Sequence, residues 1–318
     1  MGALPASGVQ HTLRHGDDVA TIASIGASLR SFTRAERDLV VPFDADEVRP
    51  FYRGATLAPW PNRVVDGGYS FDGVDRQLSL TEPARGHALH GLAAWLDFHA
   101  VDKGSDHVTL QAVVEPQAGY PWRVIVRTTF ALAPGGLTQT VRAENASDTP
   151  APFGAGPHPY LVAGEGLVDD WTLELPAERV LSVTPDRLVP TTLDPVTAAF
   201  DFRSPRRVGS TRIDHAFTGL TRDGGGITTV RVTDAAGSGV GMSWDAACPW
   251  VQVHTADLPG GAGRPGHRAG LAVEPMTCAP DAFNDDRYDF DTGLLVLGPG
   301  ETAEASWRIF AIAPEENA

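Results

Sequence analysis

The chain has 318 residues, 42% of them hydrophobic and 20% charged, which is enough apolar material for a large core and excludes a disordered segment. Its formal net charge of −15 and a pI near 5.0 set the surface against phosphate backbones and anionic lipid, so neither nucleic acid nor membrane is an expected partner. That charge places no restriction on a neutral small ligand.

Composition narrows the class further. The 34 Gly and 25 Pro suit many short strands joined by turns. Cys248 and Cys278 form no CxxC pair and no disulfide framework, which fits a reducing cytoplasm. The stretch Met1–Ala6 lacks the basic and apolar regions of a signal peptide, and Ala6 breaks the myristoylation pattern. No apolar run approaches the ~18 residues of a membrane helix. The expectation is a cytoplasmic protein, and no stretch signals an oligomeric state.

In chain order, residues 17–33 read as two short strands around Gly26, and Leu39-Val40-Val41-Pro42 as another, ended by proline. Residues 54–66 form a Pro-rich loop. Tyr69 to Leu80 reads as a hairpin turning at Asp72-Gly73. Residues 81–96 read mostly as loop. Alternation with period two marks 107–115, 122–132 and 137–143, with a turn at Pro134-Gly135-Gly136. Later strands are expected at 171–175, 179–184, 229–233, 240–245, 250–255, 270–274 and 301–313. In the last, Ala303, Ala305, Trp307, Ile309 and Ala311 share one face. No long amphipathic helix is evident. Residues 185–210 and 257–269 are linker-like but carry no low-complexity run that marks a boundary. The pattern predicts an all-β chain, a large and mainly antiparallel β-sandwich, as one domain over 1–318.

The residues that could carry chemistry are spread over the chain. Glu274 follows an apolar strand-type run and precedes a loop stiffened by Pro275 and Pro280, a plausible seat for a general base; an exposed strand-end carboxylate is the plainer alternative. His158 lies between Pro157 and Pro159, which bias it to an extended backbone. A rigid loop with one imidazole suits acid–base work near neutral pH, although a surface histidine fits equally. His87 and His90 sit in Arg85-Gly86-His87-Ala88-Leu89-His90-Gly91, which is not the helical HExxH pattern of a metal site. His90 could instead donate to a ligand.

Asp214 could bind a ligand or cap a turn, and Arg63, after Asn62, could be a ligand group or a solvated arginine. Gln252 and His254 share one face of a strand whose other face carries Val251 and Val253, so the polar face lines a wet cavity or solvent. Trp60, Tyr120, Trp122 and Trp250 are candidates for stacking on a sugar ring, with the core as the alternative. No GxSxG elbow, P-loop or GxGxxG after a strand is present, which argues against nucleotide cofactors.

Taken together these residues resemble the aldose 1-epimerase (galactose mutarotase-like) family, in order over nearly the whole chain. Ala58-Pro59-Trp60-Pro61-Asn62-Arg63-Val64 and the hairpin after it resemble the family's N-R element. Ala88-Leu89-His90-Gly91 is similar to its L-H-G motif, and Pro157-His158-Pro159-Tyr160 to its second histidine motif. Asp214-His215-Ala216-Phe217 is similar to its D-H-x-F motif, and Val273-Glu274-Pro275 through Asn284 to its catalytic glutamate segment. The neighbours of His158 depart from the Asn-His-Ser-Tyr-Phe form of the best-known sugar mutarotases, which bears on substrate choice.

The resemblance implies a β-sandwich with a cleft across one sheet and interconversion of the α- and β-anomers of a free aldose such as a hexose. It implies Glu274 as general base, His158 as general acid and His90 as an assisting donor. Arg63, Asp214 and Gln252 would hold sugar hydroxyls, with no metal and no cofactor. An ionised Glu274 beside a protonated His158 would each favour the other's charge. Two competing readings are a non-catalytic sugar-binding protein and a glycosidase using Asp214 and Glu274 as its carboxylate pair. Arg264 and Arg268 in the glycine-rich loop could meet the phosphate of a phosphorylated sugar, with two solvated loop arginines as the plainer alternative.

Overall fold

In a computed structural model that describes residues 3–314, the chain is built almost wholly of antiparallel strands, and helix is confined to 3-10 turns of three to six residues. No helix among the described residues is long and apolar enough to cross a membrane. Two large sheets carry the architecture. The larger has nine strands in the order His99–Lys103, His107–Val114, Val124–Ala133, Gly136–Asn145, Thr302–Ile312, Gly239–Trp244, Thr228–Thr233, Thr172–Glu174 and Arg206–Arg207. The smaller has six, ordered Tyr160–Leu161, Leu271–Met276, Trp250–His254, Asp214–Leu220, Ala177–Val183 and Pro190–Pro195. A four-stranded N-terminal meander runs from Gln10–His15 to Arg37–Asp38.

Alternation explains the layering. In Val124–Ala133 every second residue is buried, and Val126 and Phe130 join a core that also holds Val141 and Trp307 of the same sheet. Phe217, Val251, Val253 and Val273 of the six-stranded sheet enter that same core. Each such side chain contributes ~1.5–3 kcal/mol on burial. Because successive residues point to opposite faces, the residues between them are turned away from this core. Gln252 pairs with Glu274, and Asp214 with His254, so all four share the second face of the six-stranded sheet.

Several local expectations are corrected. Val40 makes only an isolated bridge; the nearby strand is Arg37–Asp38. The strand of Glu274 does not end on it but runs on through Pro275 to Met276. Asp214 opens a strand rather than capping a turn. Strands at Gln10–His15, His99–Lys103 and Leu295–Leu297 had no strong alternation to announce them, and short strands also lie inside the Pro-rich loop and the 185–210 stretch.

Candidate active site

A cavity of about 310 Å³ opens on the polar face of the six-stranded sheet, and Arg63, His90, His158, Asp214, Gln252 and Glu274 all line it. All six candidate residues are thus brought together from separated segments. Two of the strands supply Glu274 and Gln252 as register partners, with Asp214 two positions along on the next strand. The Nε2–H of Gln252 donates to Asp214 Oδ1 at 2.7 Å across that diagonal. Arg63 and His90 arrive on a small ribbon in which Arg63–Val64 pairs with Ala88–Leu89. His158 stands between two short strands, one paired with Thr56–Leu57 and the other with the Glu274 strand.

Asp281 ties the ribbon to the segment after Glu274. Its amide donates to Arg63 O at 2.7 Å, and its carboxylate accepts from the Val65 amide at 2.7 Å, the Asn284 side chain at 2.8 Å and the Tyr288 hydroxyl at 2.6 Å. A carboxylate 1% exposed is tolerable only with such partners.

His158 Nε2 lies 3.4 Å from Glu274 Oε1. Glu274 is 1% exposed and His158 5%. Burial, reinforced by the charge of Asp214, pushes the Glu274 carboxyl well above the usual carboxylate range, against the opposing pull of Arg63. Burial, then His254, pushes His158 down to about 3. The mutual charging expected from sequence is therefore overridden: desolvation favours the neutral form of each partner. Both forms hold the same single proton, so a transfer across the gap converts one to the other. Glu274 Oε2, His158 Nδ1 and Gln252 Oε1 are buried without a protein partner. Three such atoms in one site is what a ligand rich in hydroxyls would satisfy.

Arg63 is 8% exposed and held from behind. Its Nε and Nη2 donate to Glu82 at 2.7 and 3.0 Å, and Nη1 donates to Asn62 Oδ1 at 3.3 Å. Of its five N–H groups, two remain for a ligand. Burial works against its charge, but the Glu82 hydrogen bond with the charges of Asp214 and Glu274 raises it. Arg85 also donates to Glu82, at 2.7 Å.

Sequence reasoning missed Glu82, a lone carboxylate before a proline, and the aromatics of the wall. Tyr52 makes an edge contact with His90 at 4.7 Å, and Tyr160 stacks on His158 at 5.2 Å. The Tyr160 position two residues past His158 was a usable signal. By contrast Trp60, Tyr120, Trp122 and Trp250 are buried away from the cavity and serve the core. Arg268 is 3% exposed and bound to Asp169 and Asp257 at 2.8 and 2.9 Å, so it is closed to a phosphate.

A family model described as aldose 1-epimerase matches residues 9–309. The uncharacterized protein YihR of Escherichia coli K12 is 34% identical over 306 residues, covering 96% of this chain and 94% of its own. The fold is shared with a GalM/aldose epimerase homologue from C. elegans (TM-score 0.81, 20% identity, 97% and 100% of the two chains). It is shared too with a galactose 1-epimerase from Lactobacillus acidophilus (TM-score 0.75, 18% identity, 95% and 94%). With a match over nearly its whole length, the chain belongs to the aldose 1-epimerase family.

Proposed function

We propose that this protein interconverts the α- and β-anomers of a free aldose by opening and reclosing the sugar ring, with residues 1–318 acting as one domain. The observation that carries the proposal is the buried Glu274–His158 pair, 3.4 Å apart, in a cavity lined by Arg63, Asp214 and Gln252. In the ring-bound state the pair is in its ionised form. Glu274 carboxylate takes the proton from the anomeric hydroxyl while His158 Nε2–H gives its proton to the ring oxygen. The C1–O5 bond breaks and C1 becomes an aldehyde. The pair is now neutral, the form that burial favours. Rotation about C1–C2 presents the other carbonyl face. The former ring hydroxyl then adds to C1, returning its proton to His158 as Glu274 gives one to the carbonyl oxygen. Protons balance over the cycle, and no cofactor is needed.

His90, Arg63, Asp214 and Gln252 hold the oxygens of the sugar. Positioned acid and base groups contribute about 10²–10⁴ each in rate, a useful gain over a reaction that runs slowly in water. A glycosidase would instead use Asp214 and Glu274 as a carboxylate pair flanking one bond, and a chromogenic glycoside left uncleaved would count against it. The test is a polarimetric panel of freshly dissolved α-anomers of glucose, galactose and related aldoses, with and without protein. Faster approach to equilibrium for at least one sugar supports the proposal. Unchanged rates throughout, with binding retained, would leave a sugar-binding protein instead.

A further inference from the structure

His87 and His90 lie three residues apart and share one hydrogen-bond arrangement. The amide of Asp66 donates to His87 Nδ1 at 3.1 Å, and His87 Nε2–H donates to Arg187 O at 2.9 Å. The amide of Asn62 donates to His90 Nδ1 at 3.2 Å, and the amide of His90 returns a bond to Asn62 O at 2.7 Å. The two differ at the far nitrogen: His90 Nε2 has no hydrogen-bond partner among the described residues, and His90 lines the cavity.

A peptide amide is always a donor, so the nitrogen facing it must carry a lone pair. In a neutral imidazole the proton then sits on Nε2. A second proton on Nδ1 would set two N–H groups head to head in a residue 6% exposed. The groups around it add to the resistance. Arg49 and Arg63 are cationic, His158 and His254 stand close, Tyr52 meets the ring edge-on, and a Glu274 carboxylate oxygen lies within 4.8 Å of a His90 ring nitrogen. Burial first, then the charges of His158, Arg63, Arg49 and His254, holds His90 well below the usual histidine range. Both residues of the lock have a left-handed backbone, φ 53° at Asn62 and 60° at His90, a conformation asparagine tolerates better than most residues.

We propose that the main chain of Asn62 locks His90 as a permanently neutral Nε2–H tautomer, a fixed hydrogen-bond donor to a ligand oxygen. It is neither a proton carrier nor a metal ligand. The metal question arises because His90, His158 and Glu274 place ligand atoms within 4.8 Å of one another, and the trio has the composition of a two-histidine, one-carboxylate site. A ligating histidine normally donates its outer N–H to an acceptor. The outer nitrogen of His90 meets a donor, so no lone pair is left on Nε2. Only the identity of the acceptor as a sugar oxygen rests on the proposed function.

The experiment is long-range 1H–15N correlation on 15N-labelled parent protein without sugar, from pH 5 to 8. His90 is assigned by the scalar coupling between its Nδ1 and the Asn62 amide nitrogen, and by loss of its signals in His90→Gln. The proposal expects an unprotonated Nδ1 and a protonated Nε2 at every pH, unmoved by added Zn²⁺. An Nδ1–H tautomer, titration to imidazolium in that range, or a Zn²⁺-induced shift of Nε2 would overturn it. This arm stands whether or not the protein anomerises a sugar. With an active sugar in hand, His90→Gln, which keeps an N–H donor, should retain at least ~10-fold more kcat/KM than His90→Leu, with the parent's pH profile. Equal loss in both variants would remove the donor role.

Discussion

Glu274→Gln separates what Glu274 does for the reaction from what it costs the fold. The substitution keeps the shape of a residue 1% exposed and removes its ability to take a proton. If Glu274 is the base, kcat should fall at least ~10²-fold. Stability should move the other way. Burial raises the folded-state pKa of Glu274 well above its unfolded value. Its neutral form is therefore matched in both states at low pH. As pH climbs past the unfolded value, the unfolded chain ionises while the folded protein holds the proton, so the parent loses stability relative to a group that does not titrate. The slope is at most ~1.4 kcal/mol per pH unit and ends at the folded pKa. The assay is urea unfolding of parent and variant at pH 5, 6, 7 and 8. The variant should gain on the parent steadily with pH, from near parity at the acid end. A constant gap, or one that narrows with pH, would refute the reasoning that Glu274 rests protonated.

Other expectations follow from the same geometry. The rate should stay flat from about pH 5 to 7, because a second proton on the pair must enter His158, pushed down to about 3; a half-loss near pH 6.5 in kcat against pH would show an ordinary imidazole instead. Glu82→Gln should raise KM about tenfold with a smaller change in kcat, since it frees the Arg63 fork that Glu82 grips at 2.7 and 3.0 Å; steady-state kinetics on the preferred sugar checks this. Asp281→Ala should cost ~2–4 kcal/mol in denaturant unfolding, because it strands the buried Val65 amide and the Tyr288 hydroxyl.

Much of this protein is legible in its sequence because alternation is a direct consequence of strand geometry. The runs at 107–115, 122–132 and 301–313 announced the nine-stranded sheet, and the Gln252/Val253 alternation announced a polar face that does line the cavity. Read one at a time the candidate residues each keep a plainer alternative; the order of five short motifs resembling one family is what singles them out. Two-residue strands such as Arg63–Val64 and Ala88–Leu89 are too short for any period to show, yet the first carries Arg63 and the second leads directly into His90. The brace of Glu82 on Arg63 was invisible because it depends on where the chain folds back, not on spacing. The protonation of Glu274 and His158 was misjudged for a related reason. Proximity could be guessed from sequence, but the depth of burial that outweighs it could not.

The central claim is that the protein equilibrates sugar anomers. Two-dimensional exchange NMR on an already equilibrated aldose tests it without any net change in concentration. With parent protein at catalytic amounts, cross-peaks between the α and β anomeric protons should appear at mixing times where buffer alone gives none, and His158→Gln and Glu274→Gln should abolish them. Absence of exchange for every aldose tried, or exchange that survives in both variants, would contradict the account.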